Sequence, residues 1–211
     1  MVCDTGFGSY CRPTVANTPF DKQKFEFVAH KWIDLSEGDY GISLLNDCKY
    51  GHSIQDNCVE ISLLRSTSSP DETADLGYHE INYSLVPHTG DWRDAHTARE
   101  GHDFNNPLMA FTGHYTTPRL PDGFSLMNTD NENIIIDTVK DAWDGNGIIV
   151  RLYEANGNSG TAEIKLNVPT DCIVETDLME RQIGDLASGA AFSFPFGPYE
   201  IKSFRIISKS L

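Results

Sequence analysis

Residues 30–51 read "HKWIDLSEGDYGISLLNDCKYG". An apolar run, "YGISLLN" from Tyr40 to Asn46, is surrounded by a His, a Trp, four carboxylates (Asp34, Glu37, Asp39 and Asp47) and a Lys-Tyr pair. Within it "GISLLN" (41–46), short, alternating and bounded by Gly, Asp and Asn, is a half-buried strand rather than a helix. The same style recurs outward along the chain. Before the linker-like segment described below it appears as "KFEFVAH" (24–30), "CVEISLL" (58–64) and "YHEINYSLV" (78–86). After it come "FSLM" (124–127), "ENIIIDTVK" (132–140), "GIIVRLYEA" (147–155), "TAEIKLNV" (161–168), "CIVETDL" (172–178) and "YEIKSFRIIS" (199–208). Many short strands joined by turns give an all-β chain, a large antiparallel β-sandwich with at most one or two short helices.

The turn chemistry agrees with that pattern. "WDGNGII" and "ANGNSGTAEI" read as hairpin tips, because Asn-Gly and Gly-Asn pairs accept the positive φ of tight turns. One helix is expected in "DWRDAHTAREGHDF", with Asp91 as N-cap, Asp94 in the first turn and Gly101 fraying or ending it. "TGHYTTPRLPDG", residues 112–123, is the one linker-like segment. It marks either a boundary between two sandwich units or a crossing between sheets, and the number of strands needed to close one core favours the crossing.

With 211 residues, 39% of them hydrophobic, the chain can bury a sizeable core. A formal net charge of -15 opposes nucleic acid and anionic membrane, which are polyanions, and is compatible with neutral ligands such as sugars. The N-terminal "MVCDTGFGSYCRP" has no secretory pattern, and there is no apolar run of membrane-spanning length. A cytoplasmic or otherwise intracellular protein is expected. Five scattered cysteines without C-x-x-C read as free thiols rather than a disulfide framework or zinc knuckle.

The chemistry-bearing residues admit several readings. His79, His88 and His114 would have to converge to hold a metal, but they lack the close H-x-H pairing that metal-binding barrels use, so no metal site is expected. "NTDNENIIID" has calcium-loop composition without calcium-loop order, and is read as a polar turn before a strand. No nucleophile elbow, P-loop or dinucleotide fingerprint is present. Carboxylate chemistry of the glycosidase kind remains, since two carboxyls at a fixed separation cleave a glycosidic bond. Asp34, Glu37, Asp39 and Asp47 are nevertheless more often solvated turn residues than catalysts. Trp32 is a core residue or a platform for a sugar face.

A longer pattern is more specific than any of these. "RPTVANTPFDKQKFEFVAHKWIDLSEGDYGISLLNDCKYG" resembles a region of the α-mannosidases of glycoside hydrolase family 38. The resemblance continues through "ISLLRSTSSPD", "PHTGDWRDA", "FNNPL", "IIVRLYEANG", "ETDLMER" and "FGPYEIKSFRI", from about Arg12 to Ile206. Departures are few: Val15 stands where the family often has His, Pro19-Phe20 replaces Ser-Trp, and Ile33 replaces Ala.

The resemblance implies a galactose mutarotase-like supersandwich and a parent enzyme that hydrolyses terminal α-linked mannose with retention. It also implies an Asp nucleophile, an Asp acid/base and zinc or another divalent metal, all in an N-terminal α/β barrel that has no counterpart here. This chain then carries no catalytic residue, no metal ligand and no cofactor of its own. Its expected partners are that barrel, an α-mannoside substrate and further copies of itself as a homo-oligomer. Its N-terminus is expected to fall inside a larger β domain, leaving an unpaired strand edge. By analogy Asn46, Asp47, Lys49 and Tyr50 line the substrate cleft, or hold the two domains together as a strand-ending turn. His30, Trp32 and Asp34 are candidate sugar contacts. The rival readings are a stand-alone carbohydrate-binding module using an exposed Trp, and an oligomerisation domain.

Overall fold

The computed structural model describes residues 1–113 and 121–208, and the chain divides into two compact units, Met1–Leu108 and Met109–Leu211. The first unit holds β1 (Val2–Asp4), β2 (Ser9–Cys11), α1 (Pro19–Gln23), β3 (Glu26–Val28), β4 (Trp32–Glu37), β5 (Tyr40–Asn46), β6 (Gly51–Gln55), β7 (Cys58–Ile61), β8 (Tyr83–Thr89) and α2 (Thr97–Asn105). A five-stranded sheet in the order β2-β1-β4-β5-β8 faces a three-stranded sheet β3-β6-β7, with every pairing antiparallel. The opening stretch is therefore a hairpin. Its strands pair from Trp32 with Leu45 to Glu37 with Tyr40, and Gly38 turns the chain at φ +66°, a conformation that suits a residue without Cβ.

Alternation assigns the faces of this hairpin. Ile33 and Leu44 point between the sheets, where they join Cys3, Phe27 and Ala29, with Ile54, Val59 and Ile61 packed against them. Each fully buried side chain of this size contributes about 1.5–3 kcal/mol. The opposite face carries Trp32, Asp34 and Ser43, all buried. Trp32 stacks on Trp92 at 5.1 Å between ring centroids.

Gly101 lies within α2, buried, rather than at its end. A Cβ there would stand 2.8 Å from Trp32 Cδ1, so the helix sits on the indole only because this side chain is missing. Asp91 caps as expected, but a shorter piece. It accepts the N–H groups of Arg93 at 2.7 Å and Asp94 at 3.3 Å, while Asp94 accepts from Asp91 N–H at 3.0 Å. That turn breaks at His96, which is left-handed at φ +52°, and α2 begins only at Thr97.

The second unit holds β9 (Met127–Thr129), β10 (Ile134–Asp141), β11 (Ile148–Glu154), β12 (Gly160–Leu166), β13 (Cys172–Thr176), β14 (Gln182–Ala187), β15 (Ala191–Phe196) and β16 (Ile201–Ile207). Its sheets, β10-β11-β16-β13-β14 and β15-β12-β9, enclose Val150, Leu152, Ile164, Phe192, Phe194 and Phe204 among others. Each unit thus has a core of its own, where the strand count had favoured one. "WDGNGII" is the β10–β11 hairpin tip, with Gly145 and Gly147 at positive φ. "ANGNSGTAEI" is not a hairpin, because β11 and β12 belong to different sheets and the segment crosses between them. The strand expected at 78–86 begins only at Tyr83 and runs on to Thr89, and the one at 124–127 is displaced to Met127–Thr129.

The candidate cleft-lining turn

Asn46, the last residue of β5, organises the turn that follows. Its side-chain amide donates to His30 O at 2.8 Å, and its Oδ1 accepts Lys49 N–H at 2.8 Å. Its own N–H donates to Lys31 O at 3.0 Å, and its carbonyl accepts from Asn105 Nδ2 at 3.0 Å. The residue has no exposed surface. It fixes the turn from beneath, so of the residues expected to line a cleft this one acts on the backbone.

Asp47 is tied sideways. Asn82 donates to it from Nδ2 at 2.8 Å and from its N–H at 3.3 Å. The Cys48 thiol, followed by Asn82, holds the Asp47 carboxyl below the usual range, and the same contact pushes the exposed Cys48 thiol up. Tyr50 and His30 come together on the surface, with ring centroids 5.1 Å apart, and Ala29 N–H donates to Tyr50 O at 3.1 Å. Behind His30, Asp4 accepts Lys31 N–H on its carboxylate at 2.9 Å and His30 N–H on its carbonyl at 3.2 Å. Burial pushes the Asp4 carboxyl up.

Lys49 borders an open cleft of about 460 Å³ whose other walls include Glu26, Phe27, Ser62, Arg65 and Asp75. Arg65 pairs with Glu26 at 3.3 Å, and Asp75 accepts Ser66 N–H at 2.9 Å, which lowers its pKa. The outward set is thus Asp47, Lys49, Tyr50 and His30, a carboxylate, an ammonium, a phenol and an imidazole on one short rim. Such groups bind hydroxyls. None of them is arranged as a nucleophile with a base.

Trp32 and Asp34, expected among the sugar contacts, lie inside. Trp32 is 2% exposed, closed in by Trp92 and Gly101. Asp34 is 1% exposed and accepts from Ser36 Oγ, from Ser43 Oγ at 2.7 Å and from His88 Nε2 at 2.6 Å. Ser43 reaches on to Thr97 of α2 at 2.7 Å. The cause is the second cover on this sheet: α2 lies over the face that carries them, so β4 is buried on both sides. Sequence reasoning missed this polar core. Gly41 was its signal, since a Cβ opposite His88 would lie 2.4 Å from the imidazole Cε1. Glu37 and Asp39 are exposed at the hairpin tip.

The histidines do not converge. His88 is buried on Asp34, His79 is exposed with its ring on Asp75 O at 2.9 Å, and His114 lies outside the described residues. Among the described residues, no group of three His, Cys, Asp or Glu side chains is placed to hold a metal ion. The donor set therefore does not fit the divalent metal that the family resemblance implies.

Residues 1–73 match the family described as "Glycosyl hydrolases family 38 C-terminal domain", and residues 133–204 match "Glycosyl hydrolases family 38 C-terminal beta sandwich domain". The chain is 40% identical to α-mannosidase G of Dictyostelium discoideum, over 96% of its own length and 19% of that relative. It is 35% identical to human α-mannosidase 2C1, over 95% of its length and 20% of the relative. The α-mannosidase of Saccharomyces cerevisiae is 33% identical, at 96% and 21% coverage. A solved α-mannosidase from Enterococcus faecalis shares the fold with a TM-score of 0.76 at 17% identity, covering 97% of this chain and 24% of that one. The chain thus spans about a fifth of the length of the curated relatives it matches.

Proposed function

This chain belongs to glycoside hydrolase family 38, whose C-terminal β region it represents, and from that premise we propose that residues 1–211 are the non-catalytic β-sandwich part of a retaining α-mannosidase. The substrate of the whole enzyme is terminal α-linked mannose. The observation that carries the reading is identity of 33–40% with three α-mannosidases along nearly all of this chain but only a fifth of theirs. Four-fifths of each relative is left to supply the catalytic machinery.

The chain's own part in the reaction is to support and partly line the cleft of an N-terminal barrel. Asn46 holds the turn, and Asp47, Lys49, Tyr50 and His30 present hydrogen-bonding groups to sugar hydroxyls. A rim fixed by backbone hydrogen bonds is pre-organised, so binding a sugar there costs little ordering. Zinc or another divalent cation belongs, in this proposal, to the barrel.

An intracellular setting is part of the proposal and is supported by five cysteines, none of them in a disulfide. No helix among the described residues is long and apolar enough to cross a membrane. A homo-oligomer is proposed for the parent. The experiment is an assay on an aryl α-mannoside: the 211-residue chain alone gives no turnover, and the longer polypeptide that contains it does.

A further inference from the structure

Both ends of α2 are tied to one strand. At the start of the helix Thr97 Oγ1 meets Ser43 Oγ of β5 at 2.7 Å, and at its end Asn105 Nδ2 donates to Asn46 O, the last carbonyl of β5, at 3.0 Å. From Thr97 to Asn105 the helix rises about 12 Å, and from Ser43 to Asn46 the strand advances about 10 Å. The spans match, so α2 lies along β5 as a splint. Asn105 belongs to "FNNPL" (104–108), a stretch that the cleft reading leaves without a role. Each of its asparagines returns an amide to the helix carbonyl four residues back, Asn105 to Gly101 O at 2.9 Å and Asn106 to His102 O at 2.8 Å. Pro107 follows, and proline bars the helix from continuing. Stopping α2 therefore does not require the bond that Asn105 makes to β5.

The chemistry of the side chain suits that bond. An amide nitrogen carries two donors, which a carboxylate, a single hydroxyl or an apolar group lacks, and Asn105 uses them to bridge Gly101 O and Asn46 O. The peptide that joins Asn46 to Asp47 is held on its carbonyl by Asn105 at 3.0 Å and on its N–H by Asn82 O at the longer 3.3 Å. The same Asn46 holds His30 O and Lys49 N–H through its side chain, each at 2.8 Å. A shift of this one peptide therefore reaches Asp47, Lys49 and His30 together. We propose that Asn105 is a positioning residue, which through the Asn46 carbonyl holds the turn at 46–50 in the shape that presents Asp47, Lys49 and Tyr50 to the sugar. The proposal rests on the cleft-lining reading for its link to substrate. The contacts that carry it are internal to the first unit, between a half-buried amide and a residue with no exposed surface.

The test uses the full-length polypeptide. In Asn105→Ala, hydrogen exchange across residues 47–51 is accelerated about fivefold, the size of one lost hydrogen bond. Asn106→Ala, which removes the matching bond at the same helix end, leaves that exchange at the wild-type rate. Asn105→Ala also raises KM for an aryl α-mannoside about fivefold with kcat within about twofold. The rise vanishes in a Lys49→Met, Tyr50→Phe background, because a residue that acts through others loses its effect once they are gone. Asn105→Ser, with one donor in place of two, gives a smaller change in both readouts. Wild-type exchange in Asn105→Ala, equal acceleration in Asn106→Ala, or a KM effect that persists in the Lys49→Met, Tyr50→Phe background overturns the proposal. Accelerated exchange with KM unmoved by Lys49→Met and by Tyr50→Phe upholds the positioning of the turn and refutes the cleft reading instead.

Discussion

Glu154 is a buried carboxylate on which the second unit depends. It ends β11 with no exposed surface, and its carboxylate accepts Asn156 N–H at 2.9 Å, Gly157 N–H at 2.8 Å and Tyr199 N–H at 2.9 Å. Those donors belong to the crossing that leaves β11 and to the turn that enters β16. One side chain therefore ties both. Gly157 sits at φ +77°, and Tyr199, not a glycine, at φ +56°, so neither loop adopts its shape without help. Stranding a buried donor costs about 1–3 kcal/mol. Glu154→Leu strands three and also relieves the burial of a carboxylate, so the net loss is about 3–5 kcal/mol, the range for deleting one partner of a buried charged network. Glu154→Gln keeps one oxygen acceptor and strands Asn156 N–H, for about 1–3 kcal/mol. The assay is urea unfolding followed by hydrogen exchange in segments 148–166 and 197–207. At about 1–3 kcal/mol per molar urea, Glu154→Leu lowers the midpoint there by about 1–5 M. A Leu variant within about 0.5 kcal/mol of wild type, the scatter of ordinary surface changes, refutes the reasoning.

His52 gives the first unit a dependence on acid. It is buried between the sheets, stacked on Phe27 at 5.7 Å, with neither ring nitrogen in a well-formed hydrogen bond, and burial pushes its pKa below the ordinary value near 6.5. Below pH 6.5 the unfolded chain takes up a proton that the folded one refuses, so stability is complete above that pH and falls below it, by up to about 1.4 kcal/mol per pH unit. Urea unfolding by tryptophan fluorescence at pH 7 and 5.5 shows this slope, and His52→Phe removes it; an equal slope in the variant contradicts the assignment. On the rim, Tyr50→Phe and Lys49→Met in the full-length enzyme raise KM for an aryl α-mannoside about tenfold, the loss of one hydrogen bond of about 1.4 kcal/mol. Unchanged kinetics in both variants make the turn a structural element alone.

Most strands were legible because half-burial writes period two into them, and the misses have physical causes. "AFSFPF" alternates cleanly, yet Pro195 argues against a strand; β15 accommodates it by lying at the edge of its sheet, where a missing N–H donor is tolerated. Trp32 was read as a core residue or a sugar platform and Asp34 as a solvated residue or a sugar contact, whereas β4 is covered on both faces and holds both inside. A polar core of Asp34, Ser43, His88 and Thr97 looks like a solvated face in sequence. Gly101 read as a helix end because glycine usually weakens helices. Its contact with Trp32 was set by residues far away in the chain. The turn at 46–50 was singled out through resemblance alone, and the arrangement within it, with Asn46 beneath and Tyr50 outside, rests on hydrogen bonds that no spacing encodes.

The central claim is that these residues shape a mannosidase without performing its chemistry. Initial rates on an aryl α-mannoside, with zinc or cobalt added, measured side by side for the 211-residue chain and for the full-length polypeptide, test it most directly. No turnover above background by the chain and ready hydrolysis by the full polypeptide is the predicted result. Saturable, metal-dependent hydrolysis by the isolated chain would contradict it, because a catalytic carboxylate pair and its metal would then have to lie among these residues.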